Sequence, residues 1–420
     1  MTKANRTYIF TYLTEFSLLI AGLLVYRFAY NSFNEIDSAA YSIIRRYLSF
    51  FVPLLFLGLA VGIPRFVSFN LDNKTQNGNY FIAGALILLC SVIIFSIAIF
   101  IFKVQLAELI FDNKKLSYLI LPLQVLIIGI AIHSLAYSYL RGSMKMHLAN
   151  TLQFLNLCVG NLLGFALSDK LSQVIYYTGF YWIITATLFL LYILWNINFE
   201  WKHIRKTAKE LFMYSIFRVP GDIALAALFT MPSLFIAHYY GIIPSGYVAV
   251  SITLLNMAGA AFSPISLLLL PKISKLAADK NYDTIFSNSK KIIAITLLLS
   301  VSAVLIFEFF ATPIMHIYLK TAPPHLVNTA RIIALGIPGY TLYIVLRSVL
   351  DALHYRAVNT RNLLISFIFY CVGIVMLFLF NIHSETLIGL NIWIFSVSLS
   401  ILGILTYFDY RKSRNSFLKK

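Results

Sequence analysis

Charge is scarce in this chain of 420 residues: Asp, Glu, Lys and Arg together make up 12% of it, about half the share of a soluble domain. Water is therefore not the solvent for most of its surface. Cysteine is scarcer still, and Cys90, Cys158 and Cys371 each fall inside an apolar run with no CxxC spacing. That excludes a disulfide framework or thiolate metal centre and leaves three small packing residues. No HExxH, P-loop or nucleophile-elbow sequence occurs, and the eight histidines are scattered, so neither a metal site nor the common hydrolytic and nucleotide-binding chemistries find their residues here. Acidic groups are few enough to leave a formal charge of +17. A nucleic-acid partner would need that excess gathered in one patch with interleaved aromatics. The basic residues are instead spread over every second loop.

What the chain has is hydrophobicity in twelve long runs: 8–30, 41–69, 80–102, 118–140, 148–167, 174–195, 211–240, 247–270, 292–310, 331–350, 363–380 and 387–407. About 17 to 25 apolar residues cross the hydrocarbon core as a helix, so the sequence predicts an all-α polytopic membrane protein of twelve transmembrane helices. The first run is too long for a signal-peptide core and has no small-residue cleavage site, so it reads as the first membrane helix.

The connections alternate in charge. One set carries 22 Lys and Arg, including Arg65 and Lys74, Arg141 and Lys145, and Lys202, Arg205, Lys206 and Lys209, whereas the other carries only Lys103, Lys114, Lys115, Lys170, Lys320 and Arg331. By the positive-inside rule the rich set is cytoplasmic, with both termini inside and an even number of spans. The longest connection of that set, 196–210, divides the chain into an N-terminal six-helix lobe, 1–195, and a C-terminal one, 211–420.

The two halves echo each other. IPRFVSF from Ile63 and LPKISKL from Leu270 close the second and eighth spans at an offset of 207, which also carries Glu15 onto Asp222. YLRGSMKMHLAN from Tyr139 and VLDALHYRAVNT from Val349 follow the fourth and tenth spans at an offset of 210. Six spans per copy give both copies one orientation, a parallel repeat about the membrane normal. Gly58 with Gly62 and Gly160 with Gly164 form small-xxx-small pairs suited to close helix packing. Pro53, Pro122, Pro220, Pro264, Pro313 and Pro338 lie in or beside spans, where a missing donor can bend a helix.

Five arginines remain inside the spans, and a charge at a helix centre costs about 2.5 to 3.5 kcal/mol on insertion scales unless it faces a bundle interior or wet cavity. Arg27 in the first span and Arg45 and Arg46 in the second lie at similar depth, a disposition that would hold phosphate or pyrophosphate through several donors. Snorkelling to the headgroups is the plainer alternative. Arg45 and Arg46 point about 100° apart on a helix, so Arg27 with one of the two is expected to form the site.

Arg218 and Asp222, and Arg347 and Asp351, stand four apart on one helix face and are either structural ion pairs or gating groups. Glu15 and Asp222 are candidates for proton or sodium coupling, with Glu308 a further acid. Tyr26, Tyr30, Tyr41, Tyr47, Tyr239, Tyr240 and Tyr247 crowd the outer ends of their spans, as an interfacial aromatic belt does. Any that turn inward would suit sugar rings.

The chain resembles the polysaccharide repeat-unit flippases, or O-antigen transporters, of the superfamily that also holds the multidrug and toxic-compound extrusion proteins. The resemblance covers nearly the whole chain and rests on GLAVGIPRFVSF from Gly58, YLRGSMKMHLAN from Tyr139, LFMYSIFRVPGDIA from Leu211, and the run from SGYVAVS at Ser245 to LPKISKL. These patterns are loose. The seventh span departs from the family in having Thr230, Met231 and Pro232 near its outer end, where an acid often stands.

The resemblance implies a bacterial inner-membrane carrier, without a cofactor, that flips an undecaprenyl-pyrophosphate-linked oligosaccharide outward, with a polysaccharide polymerase and a chain-length regulator as further partners. Arg27, Arg45, Arg46 and Arg218 would then bind substrate. A drug or metabolite antiporter of the same fold is the first rival, working through Glu15 and Asp222. A polysaccharide polymerase or ligase is the second, but it would need a large outer loop, and the longest outer segment, 311–330, offers only His316, Lys320 and His325 as candidates for catalysis.

Overall fold

The computed structural model describes residues 3–71, 73–278, 281–319, 322–354, 358–380 and 385–418, and every regular element among them is a helix. In chain order the α-helices are α1 (Lys3–Ser32), α2 (Glu35–Phe56), α3 (Leu59–Phe69), α4 (Lys74–Ile101), α5 (Lys103–Phe111), α6 (Ile120–Gly142), α7 (Met146–Gln153), α8 (Asn161–Leu167) and α9 (Leu171–Trp195). They continue as α10 (Trp201–Ile216), α11 (Val219–Tyr240), α12 (Ile242–Ala278), α13 (Tyr282–Tyr318), α14 (Pro324–Ala334), α15 (Ile337–Leu353), α16 (Val358–Leu379) and α17 (Glu385–Leu418).

Among the described residues ten helices are long and apolar enough to cross a membrane, and α14 with α15, bent by 42°, makes an eleventh span. Residues 146–167 are helical as well, a π-helical stretch, Phe154–Gly160, joining α7 to α8. Each apolar run of the sequence therefore falls in helix. The protein is an all-α polytopic membrane protein with large apolar side chains on its outside, such as Ile94 at 70% and Phe309 at 81% exposure, a surface that only lipid solvates at low cost.

The second span is broken. Leu57 and Gly58 both take left-handed backbone angles, φ 50° and 76°, and end α2 before α3 begins. Leu57 donates its amide to the carbonyl of Pro53, one turn back. Gly58 is required twice over: only glycine adopts this conformation without strain, and a Cβ there would stand 2.3 Å from the Ser215 carbonyl oxygen. Not every proline bends a span. Pro122 is the third residue of α6, and Pro220 sits at the start of α11, where the missing N–H is an unpaired donor anyway, whereas Pro338 opens α15 at the 42° bend. Pro313 lies one turn beyond the kink at Phe310 in α13, and Pro232 lies inside α11.

The chain forms two compact units. The first is Met1–Ala226 with Ala237–Gly246 and Tyr318–Lys320, and the second is Ala227–Ile236, Tyr247–Ile317 and Thr321–Lys420. In the first, Tyr26, Ile43, Ile44, Leu59, Ile63 and Phe81 are among the large side chains withdrawn fully from solvent. His238 ties the 237–246 piece in, through Nδ1 3.1 Å from Asp112 Oδ1 and Nε2 3.2 Å from the Leu109 carbonyl. In the second unit Leu269, Ile273, Ile285, Phe286, Val345, Val349, Leu350 and Tyr407 form one apolar cluster.

Two connections differ from the sequence reading. Most of the 196–210 segment is not a loop, because α10 occupies Trp201–Ile216 and buries Ile204, Thr207, Leu211 and Ser215; its helical period is masked by the lysines between. The 311–330 segment is also mostly helix, since α13 runs on to Tyr318 and α14 opens at Pro324.

Candidate functional site

Burial of charge locates the site. In α2, Arg46 is only 5% exposed, and its Nη2 donates to the hydroxyl of Tyr26 in α1 at 3.3 Å. Arg45 is half-buried, hydrogen-bonded to Tyr26 and flanked by Tyr41 and Tyr318. Tyr26 packs edge-on against Tyr41 and Tyr318, with ring centroids 6.1 Å apart in each pair. Tyr41 in turn meets Phe165 at 5.4 Å. The buried hydroxyls of Tyr47 and Tyr318 find no hydrogen-bond partner among the described residues.

These contacts correct two expectations. The 100° between successive residues was expected to leave one of Arg45 and Arg46 aside, yet both reach Tyr26, because the side chains are long enough to bend round the helix. Arg27, expected as their companion, lies on the exposed face of α1. Tyr26, Tyr41 and Tyr47, expected in an interfacial belt, are instead buried, Tyr26 and Tyr41 beside the guanidinium groups and Tyr47 against Phe51. Tyr239, 57% exposed, does have the exposure of a belt residue.

A second cationic cluster stands at the other end of the second span. Arg65 of α3 donates from Nη1 to the Tyr214 hydroxyl at 2.7 Å, and its Cζ lies 4.7 Å from the centre of that ring. Arg218, between α10 and α11, places its own Cζ 4.1 Å from the same ring and donates from Nη1 to the Tyr214 carbonyl at 3.3 Å. Phe66 packs edge-on against Tyr214 at 5.2 Å and stacks on Tyr80 at 4.7 Å. The sequence reading had counted Arg65 only as a loop charge. Its place directly after Pro64 at the end of a span was the available signal.

The acids are more dispersed. Glu15 of α1 is half-buried beside Gln153 of α7, which hydrogen-bonds to it, and near Arg141 of α6. Asp222 lies in the first turn of α11, where a helix N-terminus favours a carboxylate. The pair expected on one helical face thus straddles a helix start, and Arg218 reaches back to Tyr214. Arg347 offers its carbonyl to Asn359 Nδ2 at 3.1 Å, and the side chain of Asp351 lies outside the described residues. Glu308 Oε2 is 3.8 Å from Arg331 Nε.

One buried polar network escaped the sequence reading. His133 Nδ1 lies 3.0 Å from Asn156 Nδ2, and the Thr185 hydroxyl donates to Asn156 Oδ1. His133 stacks on Tyr137 and packs against Trp182, whose Nε1 is buried without a partner. Asn156 belongs to the π-helical stretch, a local widening that often marks functional positions. Among the described residues no group of three or more His, Cys, Asp and Glu side chains could hold a metal.

No protein-family model and no curated protein matches the chain in sequence. Solved structures match it over almost its whole length. An inward-facing multidrug-resistance MATE family transporter of the MOP superfamily superposes with a TM-score of 0.75 at 13% identity, covering 98% of this chain and 99% of that one. The lipid II flippase MurJ in an inward closed conformation also gives 0.75, at 16% identity, over 98% and 91% of the two chains. A MOP superfamily transporter from Pyrococcus furiosus, noted for the reverse polarity of its binding pocket, gives 0.69 at 14% identity over 99% and 95%. The fold is that of the MATE transporters and the MurJ flippase.

Proposed function

We propose that the chain is a flippase of the bacterial inner membrane, with both termini cytoplasmic, that moves an undecaprenyl-pyrophosphate-linked oligosaccharide to the outer leaflet by alternating access. The observation that carries this reading is the gathering of Arg45 and Arg46 on Tyr26, within a shell of buried tyrosines. Two neighbouring guanidinium groups suit an anion, because guanidinium grips pyrophosphate through several donors. The tyrosine faces suit sugar rings. Arg218, with Arg65, receives the pyrophosphate at the other end of the span, and Arg27 meets it from the exposed face of α1. An inside-negative potential favours outward movement of an anion by about 2.3 kcal/mol per charge per 100 mV.

Glu15 and Asp222 serve as proton or sodium coupling groups in this proposal, with Arg347 and Asp351 as a gating pair. The half-buried Glu15 supports a second reading, a cation-coupled drug or metabolite antiporter, for which the arginines would be incidental. Deleting the gene separates the two. The flippase requires lipid-linked repeat units to accumulate on the cytoplasmic face and surface polymer to disappear, with sensitivity to organic cations unchanged. Normal polymer with cation hypersensitivity would leave only the antiporter. Cysteine labelling from outside intact cells is expected at Asn34 and not at Lys206, which tests the orientation separately.

A further inference from the structure

The helix α10 has two unlike faces. Ile204, Thr207, Leu211 and Ser215 are buried, and they fix α10 against the first unit at several points: a Cβ added to Gly62 would stand 2.3 Å from Ser215 Oγ and 2.9 Å from Leu211 Cδ1. Tyr80 donates to Glu210 Oε2 at 3.0 Å, and the Glu200 amide to Asn79 Oδ1 at 2.8 Å. At about 100° per residue, Arg205, Lys209, Lys202 and Lys206 occupy one arc of roughly 100° on the opposite side. All four are exposed. Lys202 is shared with Glu200 at 3.1 Å, which leaves Arg205, Lys206 and Lys209 as the cationic seat. Trp201 and Phe212, 68% and 37% exposed, border that arc within roughly 40° of Arg205. Trp195 and Phe217, at 91% and 67%, extend the exposed aromatic surface beyond both ends of the helix.

An edge of exposed aromatics beside an arc of cations, on a helix whose third face is buried in protein, suits the boundary between headgroups and acyl chains: indole and phenyl rings settle at headgroup depth while Lys and Arg reach the phosphates. We propose that α10 docks anionic glycerophospholipid headgroups of the leaflet beside it, and that the bound lipid steadies the Arg65–Tyr214–Arg218 cluster. The link is short, because Ser215 seats against the Gly58 break and Tyr214 and Arg218 follow on the same segment. Charge complementarity selects the occupant. A neutral zwitterionic lipid gains only from the aromatic edge, whereas each basic residue near an anionic surface is worth about fivefold in affinity.

The test uses the full chain in detergent, titrated with phosphatidylglycerol or phosphatidylcholine while thermal unfolding and bound lipid, by native mass spectrometry, are followed. Phosphatidylglycerol is expected to raise the unfolding midpoint and remain bound where phosphatidylcholine does not, with an advantage that shrinks as salt is added. The triple variant Arg205→Gln, Lys206→Gln, Lys209→Gln is expected to bind phosphatidylglycerol roughly a hundredfold more weakly and to keep the unfolding midpoint of the unmodified chain in phosphatidylcholine. Trp201→Ala with Phe212→Ala is expected to weaken both lipids and preserve their ratio. An unchanged preference for phosphatidylglycerol in the triple variant would overturn the proposal. So would competition at α10 by soluble pyrophosphate with no effect of phosphatidylglycerol, which would assign the face to substrate loading. These readouts do not depend on what the protein transports.

Discussion

At one end of the second span a buried Arg46 and a half-buried Arg45 share Tyr26, whereas at the other Arg65 and Arg218 both lie half-buried on the ring of Tyr214. Each cluster sets two arginines on one tyrosine, but at Tyr26 they meet the hydroxyl and at Tyr214 both guanidinium groups lie over the ring, where a half-exposed cation–π contact is worth about 0.5 to 1 kcal/mol. A buried pair of cations is costly until an anion arrives, so its gain on binding is large. A half-exposed pair stays partly hydrated and can hand an anion on. In the proposed flippase the first cluster holds the anion and the second receives it. The break at Leu57 and Gly58 lies between them on the same span.

The comparison breaks most sharply at the buried pair. Replacing Arg45 and Arg46 together with glutamine is expected to remove transport of the lipid-linked substrate by a hundredfold or more at matched protein level, since each charge-assisted contact is worth about 1.5 to 3 kcal/mol. Lysine at both positions should recover part of the rate, because it keeps the charge and loses the planar fork. Full activity of the glutamine pair would move the anion site elsewhere.

At the second cluster, Arg218→Gln alone should slow transport by about tenfold, taking the lower end of the same range for one partly solvated contact. This loss should show first as a higher half-saturating substrate concentration if Arg65 and Arg218 receive the anion, and a loss confined to the maximal rate would contradict that role.

Tyr26→Phe, which leaves the ring and removes the hydroxyl shared by both guanidinium groups, should cost about 1 kcal/mol in stability and a several-fold loss of transport. Arg27→Gln is expected to have the smallest effect, within about twofold, because its side chain is exposed and snorkelling side chains carry little binding energy. A larger loss for Arg27→Gln than for Arg45→Gln would reverse the assignment of buried and exposed cations.

A separate stability measurement addresses the break itself. Gly58→Ala forces a Cβ against the Ser215 carbonyl and a side chain into φ 76°, so a clear fall in the unfolding midpoint is expected without loss of membrane insertion.

The membrane character, the all-α class and the number of spans were open to reading because apolar length and loop charge are local properties of the chain. The positions of the buried arginines were equally visible, since a cation inside an apolar run stands out whatever surrounds it. Tertiary structure alone decided their partners. Arg65 and Tyr214 are 149 positions apart, and nothing in helical periodicity says that the end of α3 meets the end of α10. Tyr26 joins the buried pair because α1 and α2 bring their inward faces together over the turn at Asn34, while Arg27, one residue on, is carried by the helical rotation to the exposed side. His133, Asn156 and Thr185 converge from α6, the π-helical stretch and α9, a meeting set by helix crossings and by one widened turn. Helix formation follows from contacts within a turn, but which helix faces meet depends on packing shape summed over the whole bundle. The cations are therefore written in the sequence, and the sites they make are not.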